Sequence, residues 1–163
     1  MCGLTGVMHL DRSPVSPQVV RRMTKAIAHR GPDGEGLWAG EGIAMGHRRL
    51  AIIAPGPEGS QPMMTPDGRY ILSYNGELYN FRELRTELRA QGIRFHTQTD
   101  TEVILHAFAA WGPACVERFN GMFAFGIWDT VERTLFLARD RFGIKPLYYA
   151  CLGRTLLFGS EIK

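Results

Sequence analysis

The segment 122–128, Met-Phe-Ala-Phe-Gly-Ile-Trp, constrains the fold of this chain more than any other feature. Its residues are apolar at consecutive positions, so a strand built from them would be covered on both faces. Three more short apolar segments follow at 134–138, 147–151 and 155–158, and short turns separate them. A strand that needs cover on both faces requires packed layers, which predicts a layered domain.

The first of two central helices begins at a predicted capping box. Asn80 and Glu83 have the spacing in which each side chain bonds the main chain of the other residue. Leu84 and Leu88 lie on one face of this helix, and Gln91-Gly92 ends it.

The second central helix begins at a similar box formed by Thr99 and Glu102, and Gly112-Pro113 ends it. Asp100 lies in its first turn, where the helix dipole favours a carboxylate. As a capping residue Asp100 needs no ligand, whereas as a binding residue it would hold an ammonium group. Strands outnumber helices along the chain, which predicts an α+β fold with layered sheets.

The beginning of the chain predicts a strand and then a helix. Residues 3–10 form a short apolar run. Ser16-Pro17 is typical of a helix start, and this helix is predicted to end where the turn-rich loop 29–34 begins. Arg30 and Asp33 could pair across that loop, but a structural loop with a capping aspartate is the favoured interpretation for Asp33.

The composition fits a single folded domain over residues 1–163. Apolar residues make up 45% of the chain and charged residues 21%, which is ordinary for a globular protein. The formal net charge of +3 is too small to predict nucleic acid binding. No segment is long and apolar enough to cross a membrane, and the first residues lack the form of a signal peptide. We therefore expect a cytoplasmic protein that binds neither nucleic acid nor a membrane.

The three cysteines are too few and too widely spaced for a disulfide framework or a zinc site. Cys115 and Cys151 lie in apolar sequence and are predicted to fill the core. The cysteine pattern thus predicts a reducing compartment and no metal.

Two neighbouring arginines, Arg48 and Arg49, lie in the segment 43–53, which is predicted to be a bent strand or a pair of strands. A buried guanidinium needs a carboxylate or a similar partner. One arginine could pair with an internal acid while the other binds the carboxylate of a ligand. The pattern alone favours neither arginine for either role.

The segment 70–74 is predicted to be a strand that ends at Asn75-Gly76, after a long irregular segment at 54–69. Asn-Gly is typical of hairpin turns, so a turn is one interpretation. In the other, the side-chain amide of Asn75 and the backbone N–H of Gly76 point at one place and stabilise an oxyanion there.

Cys2 is unusual for its position. Once Met1 is removed, which is general when the second residue is small, the thiol and a free α-amine belong to one residue. An α-amine titrates near pH ~7.7–8.0, which makes it a suitable base for the thiol. A nucleophile with its base on the same residue is the N-terminal form of covalent catalysis. The alternative is a reduced thiol without function at a frayed terminus.

Seven segments of the chain, taken in order, resemble one known family. They are Cys2-Gly3, 29–33 (HRGPD), 46–52 (GHRRLAI), 74–80 (YNGELYN), 100–103 (DTEV), 121–125 (GMFAF) and 139–149 (RDRFGIKPLYY). Over essentially its whole length the chain resembles the glutaminase domain of glutamine-hydrolysing asparagine synthetases, which are class II glutamine amidotransferases. Each segment alone is weak evidence, whereas seven in register are specific.

The resemblance implies an N-terminal nucleophile hydrolase fold, in which two antiparallel sheets lie between helical layers. It also implies catalytic roles for the matched residues. Cys2 would be the nucleophile and its α-amine the base, while Asn75 and Gly76 would form the oxyanion hole.

The resemblance further implies how the substrate, L-glutamine, is bound. Arg49 would bind the α-carboxylate, and Glu77 and Asp100 would bind the α-amine. The residues implied to contact the substrate are Arg49, Leu50, Ile52, Ile53, Asn75, Gly76, Glu77 and Asp100.

Members of this family continue into an ATP-dependent synthetase domain that consumes the ammonia. The sequence contains no SGGxDS-type or GxxxxGK[ST] nucleotide loop, so we expect the glutaminase half only, as a fragment or an excised domain. Glutamine hydrolysis is expected to need no cofactor, with ATP and Mg²⁺ serving only the synthetase domain that normally lies in the same chain. The resemblance also allows a homodimer.

Two alternatives fit the same residues. The motifs do not identify the ammonia acceptor, so the chain could belong to an amidotransferase with another acceptor, such as the hexosamine or purine type. A non-catalytic glutamine-binding domain is the second alternative. The presence of Cys2, Arg49, Asn75 and Asp100 speaks against it.

Overall fold

The computed structural model describes residues 1–53 and 56–163, which form two antiparallel sheets and three α-helices. The five-stranded sheet contains, in spatial order, β2 (Gly34–Gly40), β3 (Ile43–Arg49), β1 (Gly3–His9), β9 (Thr155–Gly159) and β8 (Tyr148–Leu152). The four-stranded sheet contains β4 (Met63–Met64), β5 (Tyr70–Leu78), β6 (Gly121–Asp129) and β7 (Thr134–Arg139). The helices are α1 (Pro17–Ala26), α2 (Phe81–Ala90) and α3 (Asp100–Trp111), and short 3-10 turns form at Ala28–Arg30, Pro57–Gly59 and Gly112–Arg118. Within the described residues, no helix has the length and apolar character needed to span a membrane.

The two sheets pack face to face, and the helices cover their outer faces. β1 and β3 of the five-stranded sheet contact β5 of the four-stranded sheet. α1 lies against β1, β2 and β3 of the five-stranded sheet. On the other side of the molecule, α3 lies against β4 and β5, and α2 packs against α3. The fold is therefore α+β, with two antiparallel sheets between helical layers, as the resemblance implies.

β6 is covered on both faces, as its apolar sequence predicts. Phe123, Phe125 and Ile127 pack in the core that the sheet shares with α2 and α3. Ala124 and Trp128 point to the opposite face and pack in the core between the sheets. The three shorter apolar segments that follow form β7, β8 and β9, so the strand predictions at this end of the chain are confirmed.

The expectation that a strand ends at Asn75-Gly76 is wrong. β5 continues to Leu78 and pairs with β6 in unbroken register, with Asn75 opposite Ala124 and Gly76 opposite Phe123. Pairing along a whole neighbouring strand outweighs the local preference of two residues for a turn. The turn interpretation is therefore excluded, and Asn75 lies inside a strand.

The other element boundaries differ from the predictions by a few residues. α1 has Pro17 at its first position, as predicted, but it ends at Ala26 and a 3-10 turn completes the path to the loop. The strand predicted to reach residue 53 ends at Arg49. The predicted irregular segment 54–69 includes Ala54 and Pro55, which lie outside the described residues, and its remainder contains β4 and a 3-10 turn.

The two predicted capping boxes differ in outcome. The side chain of Asn80 caps nothing, because it bonds the main chain of Arg118 and Asn120 instead. The hydroxyl of Thr99 accepts from the N–H of Glu102 at 3.2 Å, so half of the second box forms. The side chain of Asn80 is engaged by residues about 40 positions away in the sequence, and a local sequence pattern cannot reveal such partners.

The two remaining cysteines also differ. Cys115 is fully buried, as predicted, whereas Cys151 is exposed. Cys151 lies on β8, the outermost strand of its sheet, whose side chains have no covering layer. The prediction that Cys151 fills the core is therefore wrong.

Candidate active site

A cleft of about 100 Å³ has walls from both sheets and from the N-terminus of α3. The five-stranded sheet contributes residues at the ends of β1 and β3, and the four-stranded sheet contributes residues within β5. All the residues to which the resemblance gives a role line this cleft: Cys2, Arg49, Leu50, Ile52, Ile53, Asn75, Gly76, Glu77 and Asp100. Segments far apart in the sequence thus converge on one place.

The thiol of Cys2 lies at the start of β1 and is partly buried in the cleft. The main-chain N–H of Leu50 donates to its Sγ at 3.3 Å. Burial raises the pKa of the Cys2 thiol, and the Leu50 contact and the Arg49 cation oppose this only in part. The thiol is therefore protonated at neutral pH and needs a base before it can act as a nucleophile.

Arg30 holds the main chain of Cys2 in place. Its Nε donates to the Cys2 carbonyl at 2.9 Å, and its Nη1 donates to Glu161 at 3.1 Å. Of the two interpretations of Asp33 the structural one holds, because Asp33 accepts from the main-chain N–H of Ala51 at 2.8 Å while Arg30 pairs with Glu161. The loop between α1 and β2 thus anchors the first strand on one side and the segment after β3 on the other.

The two neighbouring arginines have different surroundings. Arg48 donates to Glu35 at 2.8 Å and to the carbonyl of Gly31 at 3.1 Å, so an internal acid pairs with its charge. Arg49 lines the cleft, and its Nη1 donates to the carbonyl of Gly56 at 2.7 Å. Successive side chains of a strand point to opposite sides, which is why adjacent residues separate in this way. Arg49 is the arginine of the cleft.

Asn75 carries an unusual buried group. Its side chain is only 1% exposed, and its Nδ2 has no acceptor among the residues the structure describes. A buried donor without a partner costs about 1–3 kcal/mol, so such a group calls for an explanation. Gly76 follows it, and a Cβ there would collide with the main chain of Met122 and Phe123. Only glycine lets β5 approach β6 this closely beside the cleft.

Asp100 forms the side of the cleft that belongs to α3. Its Oδ2 accepts from the hydroxyl of Tyr74 at 2.8 Å and from the N–H of Leu78 at 3.1 Å. Burial raises the pKa of the Asp100 carboxyl, and these hydrogen bonds lower it in part. Thr99 caps the helix instead, and the half-buried Glu77 lines the cleft from β5. Asp100 therefore lines the cleft, while the N-terminus of α3 is capped by Thr99.

Gln61 and Lys145 are among the buried residues of the cleft that sequence reasoning missed. Gln61 accepts from the main-chain N–H of Tyr74 through its Oε1 at 2.7 Å. Lys145 is only 7% exposed and lines the same cleft. Lys145 lies in one of the seven matched segments, which was a signal, but Gln61 lies in a segment without any motif. Its contact joins residues that are distant along the chain, so no local pattern could reveal it.

The side chains of the cleft suit a small zwitterion better than a metal. A guanidinium and two carboxylates can bind the carboxylate and the ammonium group of one amino acid. Within residues 1–53 and 56–163, no group of three or more histidine, cysteine, aspartate or glutamate side chains is placed to hold a metal ion.

A thiol at the start of the first strand, in a cleft between two antiparallel sheets, is the arrangement of an N-terminal nucleophile hydrolase. Residues 1–163 match the glutamine amidotransferase domain family. The chain belongs to that family.

Three relatives illustrate the likeness. The chain is 46% identical to "Asparagine synthetase [glutamine-hydrolyzing] 3" of Bacillus subtilis (strain 168), with 100% of this chain and 27% of that protein covered. It is 43% identical to a "Putative asparagine synthetase [glutamine-hydrolyzing]" of Mycobacterium tuberculosis (strain ATCC 25618 / H37Rv), with the same coverage. It is 36% identical to "Asparagine synthetase [glutamine-hydrolyzing] 2" of Oryza sativa subsp. japonica, again with 100% and 27% covered. The chain thus spans 27% of the length of each of these relatives.

Two solved structures share the fold. One is glutamine phosphoribosylpyrophosphate (PRPP) amidotransferase from B. subtilis complexed with ADP and GMP, with a TM-score of 0.81, 24% identity and coverage of 98% of this chain and 42% of that chain. The other is described as the allosteric regulatory enzyme of purine biosynthesis, with a TM-score of 0.80, 25% identity and the same coverage. The N-terminal nucleophile hydrolase fold is therefore shared with amidotransferases of low sequence identity.

Proposed function

We propose that this chain hydrolyses L-glutamine to L-glutamate and ammonia, with Cys2 as the nucleophile. The observation that carries the proposal is the presence, in one cleft, of the Cys2 thiol and the buried amide of Asn75, for which no described residue is an acceptor. Amide hydrolysis through a thioester creates a tetrahedral oxyanion, which would accept from that amide. The backbone N–H of Gly76 is the second donor in the proposal.

The base in this proposal is the α-amine of Cys2, which exists once Met1 has been removed. Burial raises the pKa of the thiol, so the thiolate forms only when a base takes its proton. An α-amine has a suitable pKa and lies on the same residue. Met1 itself lines the cleft, so its removal would also enlarge the space for a substrate.

The proposed reaction has two stages. The α-amine takes the thiol proton, and the thiolate attacks the side-chain carbonyl carbon of glutamine. The protonated amine then returns its proton to the departing nitrogen, which leaves as ammonia, and a thioester remains. In the second stage the amine takes a proton from water, which attacks the thioester and releases glutamate and the thiol. The chain itself supplies every group, so the proposal includes no cofactor and no metal.

Substrate recognition in the proposal uses both charged ends of free glutamine. Arg49 binds the α-carboxylate, while Glu77 and Asp100 bind the α-ammonium. Burial raises the pKa of Asp100, and a bound ammonium would stabilise its ionised form. The main chain of Ile52 and Ile53 lines the pocket around the substrate.

We also propose what happens to the ammonia, on the basis of the longer relatives of which this chain spans 27%. In them the ammonia would pass to a synthetase domain in the same chain, with aspartate as acceptor, and only that step would use ATP and Mg²⁺. We infer a cytoplasmic location because three widely spaced cysteines, none in a disulfide, fit a reducing compartment. A homodimer stays a prediction.

An ammonia-release assay tests the proposal. The chain should release ammonia from L-glutamine, and mass spectrometry of the active preparation should show that Met1 is absent. A glutamine derivative blocked at both its α-amine and its α-carboxylate should not react. Equal turnover of the blocked compound would refute the recognition scheme, and full activity from a chain that retains Met1 would refute the α-amine as base.

A further inference from the structure

Within residues 1–53 and 56–163, no strand pairs with one edge of β5 beside the proposed oxyanion donors. β4 pairs with β5 only at Ile71 and Leu72. At Tyr74, in the part of the chain that the structure describes, two side chains bond the main chain at this edge. The Oε1 of Gln61 accepts from the N–H of Tyr74 at 2.7 Å, and the Nε2 of His47 donates to its carbonyl at 2.9 Å.

We propose that Gln61 and His47 are positioning residues that fix the oxyanion hole by holding the main chain of Tyr74. This inference rests on the proposed glutaminase function. It adds two residues that touch neither the nucleophile nor the oxyanion, and it gives each of them one defined contact.

The contact of His47 acts on the residue that carries the amide donor. The carbonyl of Tyr74 and the N–H of Asn75 belong to one planar peptide unit, so the direction of that carbonyl sets the plane from which Asn75 starts. His47 lies on β3, in the sheet that also carries Cys2 at the start of β1. Its hydrogen bond therefore also joins the sheet of the nucleophile to the sheet of the oxyanion donors.

The protonation state of His47 suits this role. A carbonyl only accepts, so Nε2 must carry the proton, and Nδ1 is then an acceptor that no described residue satisfies. Burial is the main cause that lowers the pKa of His47 to about 4, with Arg48 and Arg49 adding to the shift. The imidazole therefore stays neutral, with a fixed tautomer, at the pH at which a glutaminase would work.

Gln61 acts at the same edge of β5, on the N–H of Tyr74. Its side chain is buried, and its Nε2 lies 3.5 Å from the hydroxyl of Thr101 in the first turn of α3. Gln61 thus connects β5 at Tyr74 to the helix turn that carries Asp100. A shift of Gln61 would move the oxyanion donors while leaving the thiol of Cys2 where it is.

A pair of variants at His47 separates positioning from general packing. His47→Leu removes the donor to the Tyr74 carbonyl, and we expect kcat to fall about 10-fold to 100-fold while KM stays within about twofold. His47→Gln places an amide N–H at nearly the position of Nε2, so it should recover most of the lost kcat. Gln61→Met removes the acceptor for the Tyr74 N–H and should show the same fall in kcat with little change in KM.

Ser73→Ala is the matched control. Ser73 is the residue before Tyr74, it is fully buried, and its hydroxyl donates to the carbonyl of Gly46 in the other sheet at 3.2 Å. The control therefore removes a hydrogen bond between the same two sheets without touching the main chain of Tyr74. We expect a kcat within about twofold of the parent chain.

Alkylation of Cys2 by iodoacetamide provides a readout that does not depend on turnover. This displacement at carbon forms no oxyanion, so a loss of positioned donors should not slow it. The rate at Cys2, followed by peptide mass mapping because the chain has three cysteines, should stay within about twofold in every variant.

The inference is overturned if kcat is unchanged in folded His47→Leu and Gln61→Met chains, or if Ser73→Ala loses as much kcat as they do. A parallel fall in alkylation would also overturn it, because the nucleophile itself would then have moved. If His47→Leu does not fold, the inference is tested by the other two variants. Gln61→Met should then lower kcat, and His47→Gln should keep a kcat near that of the parent chain. Failure of the proposed function is distinct, because the parent chain would then release no ammonia at all, and the inference would fall with it.

Discussion

The two walls of the cleft are built in different ways. The wall from the five-stranded sheet presents Cys2 and Arg49 at strand ends, where both side chains are only partly buried. The wall from the four-stranded sheet presents Asn75 inside β5, where it is almost fully buried and paired in register with β6. Groups at strand ends can adjust to a substrate, whereas a group inside a paired strand is held in one direction.

The difference has an energetic side. A buried amide without a partner lowers stability by about 1–3 kcal/mol. The amide of Asn75, for which residues 1–53 and 56–163 provide no acceptor, nevertheless lies beside the thiol. The thiol on the opposite wall already has a neighbour, the N–H of Leu50 at 3.3 Å. Among the described residues, the four-stranded wall therefore has an unpaired donor. In the proposed mechanism this donor is positioned in advance for the charge that develops on the oxyanion.

The largest effect is expected from Cys2→Ala on the first wall. Without the sulfur no thioester can form, so glutaminase activity should fall by more than about 10³-fold. Ammonia release measures the loss, and circular dichroism checks the fold. Cys151→Ala is the matched control, because Cys151 is exposed on β8 and does not line the cleft, so its loss should leave activity unchanged. Residual turnover near the parent rate in Cys2→Ala would contradict the proposed mechanism.

Asn75→Ala probes the second wall and should come next. Loss of one oxyanion donor typically costs about 3 kcal/mol, or roughly 10²-fold in kcat, with a much smaller change in KM. Stability should respond differently, because this amide has no acceptor among the described residues. Removal of the unpaired donor should offset the packing that the shorter side chain loses, so we expect the free energy of unfolding to change by less than about 1 kcal/mol in a urea titration. A change in KM alone would show that Asn75 binds the ground state and not the oxyanion.

Arg49→Ala and Arg48→Ala compare the two neighbouring arginines. Arg49 lines the cleft, so its loss should lower kcat/KM for glutamine by about 2 kcal/mol, or roughly 30-fold. Arg48 pairs with Glu35 and does not line the cleft, so its loss should leave kcat/KM within about twofold. Steady-state kinetics of both variants measure the difference. Equal losses of kcat/KM in the two variants would show that a positive charge near the end of β3 is sufficient, and that Arg49 has no specific role in the cleft.

The smallest effect concerns His47, which joins the two walls. Burial lowers the pKa of His47 to about 4 in the folded chain from its ordinary value of 6.5, so between these pH values the unfolded chain binds a proton that the folded chain does not. The free energy of unfolding should therefore fall as the pH is lowered through this window and level off below about pH 4. From pH 6.5 to pH 5 this group should contribute about 1.5 kcal/mol of the fall.

Chemical denaturation at a series of pH values measures that slope. His47→Gln keeps a donor but cannot titrate, so its stability should depend less on pH over the same window. Identical slopes in the two chains would show that another group controls the acid response.

Much of the fold was predictable because the apolar runs that indicate burial and the residues that begin and end helices lie within short stretches of sequence. The consecutive apolar residues of β6 predict cover on both faces, and α3 begins and ends where Thr99 and Gly112 predict. The members of the candidate site were predictable for a different reason. The resemblance rests on seven segments in order, and every residue that it assigned lines one cleft.

The sequence by itself determined which segments are apolar, where α3 is capped and which residues match the segments of the family. Only the tertiary structure decided that Asn75-Gly76 continues a strand, that Arg48 pairs with Glu35, and that Gln61 bonds Tyr74. Each of these outcomes depends on a partner brought near by the packing of two sheets. A local preference of a few tenths of a kcal/mol cannot predict such a partner, because pairing along a strand and burial between layers contribute more.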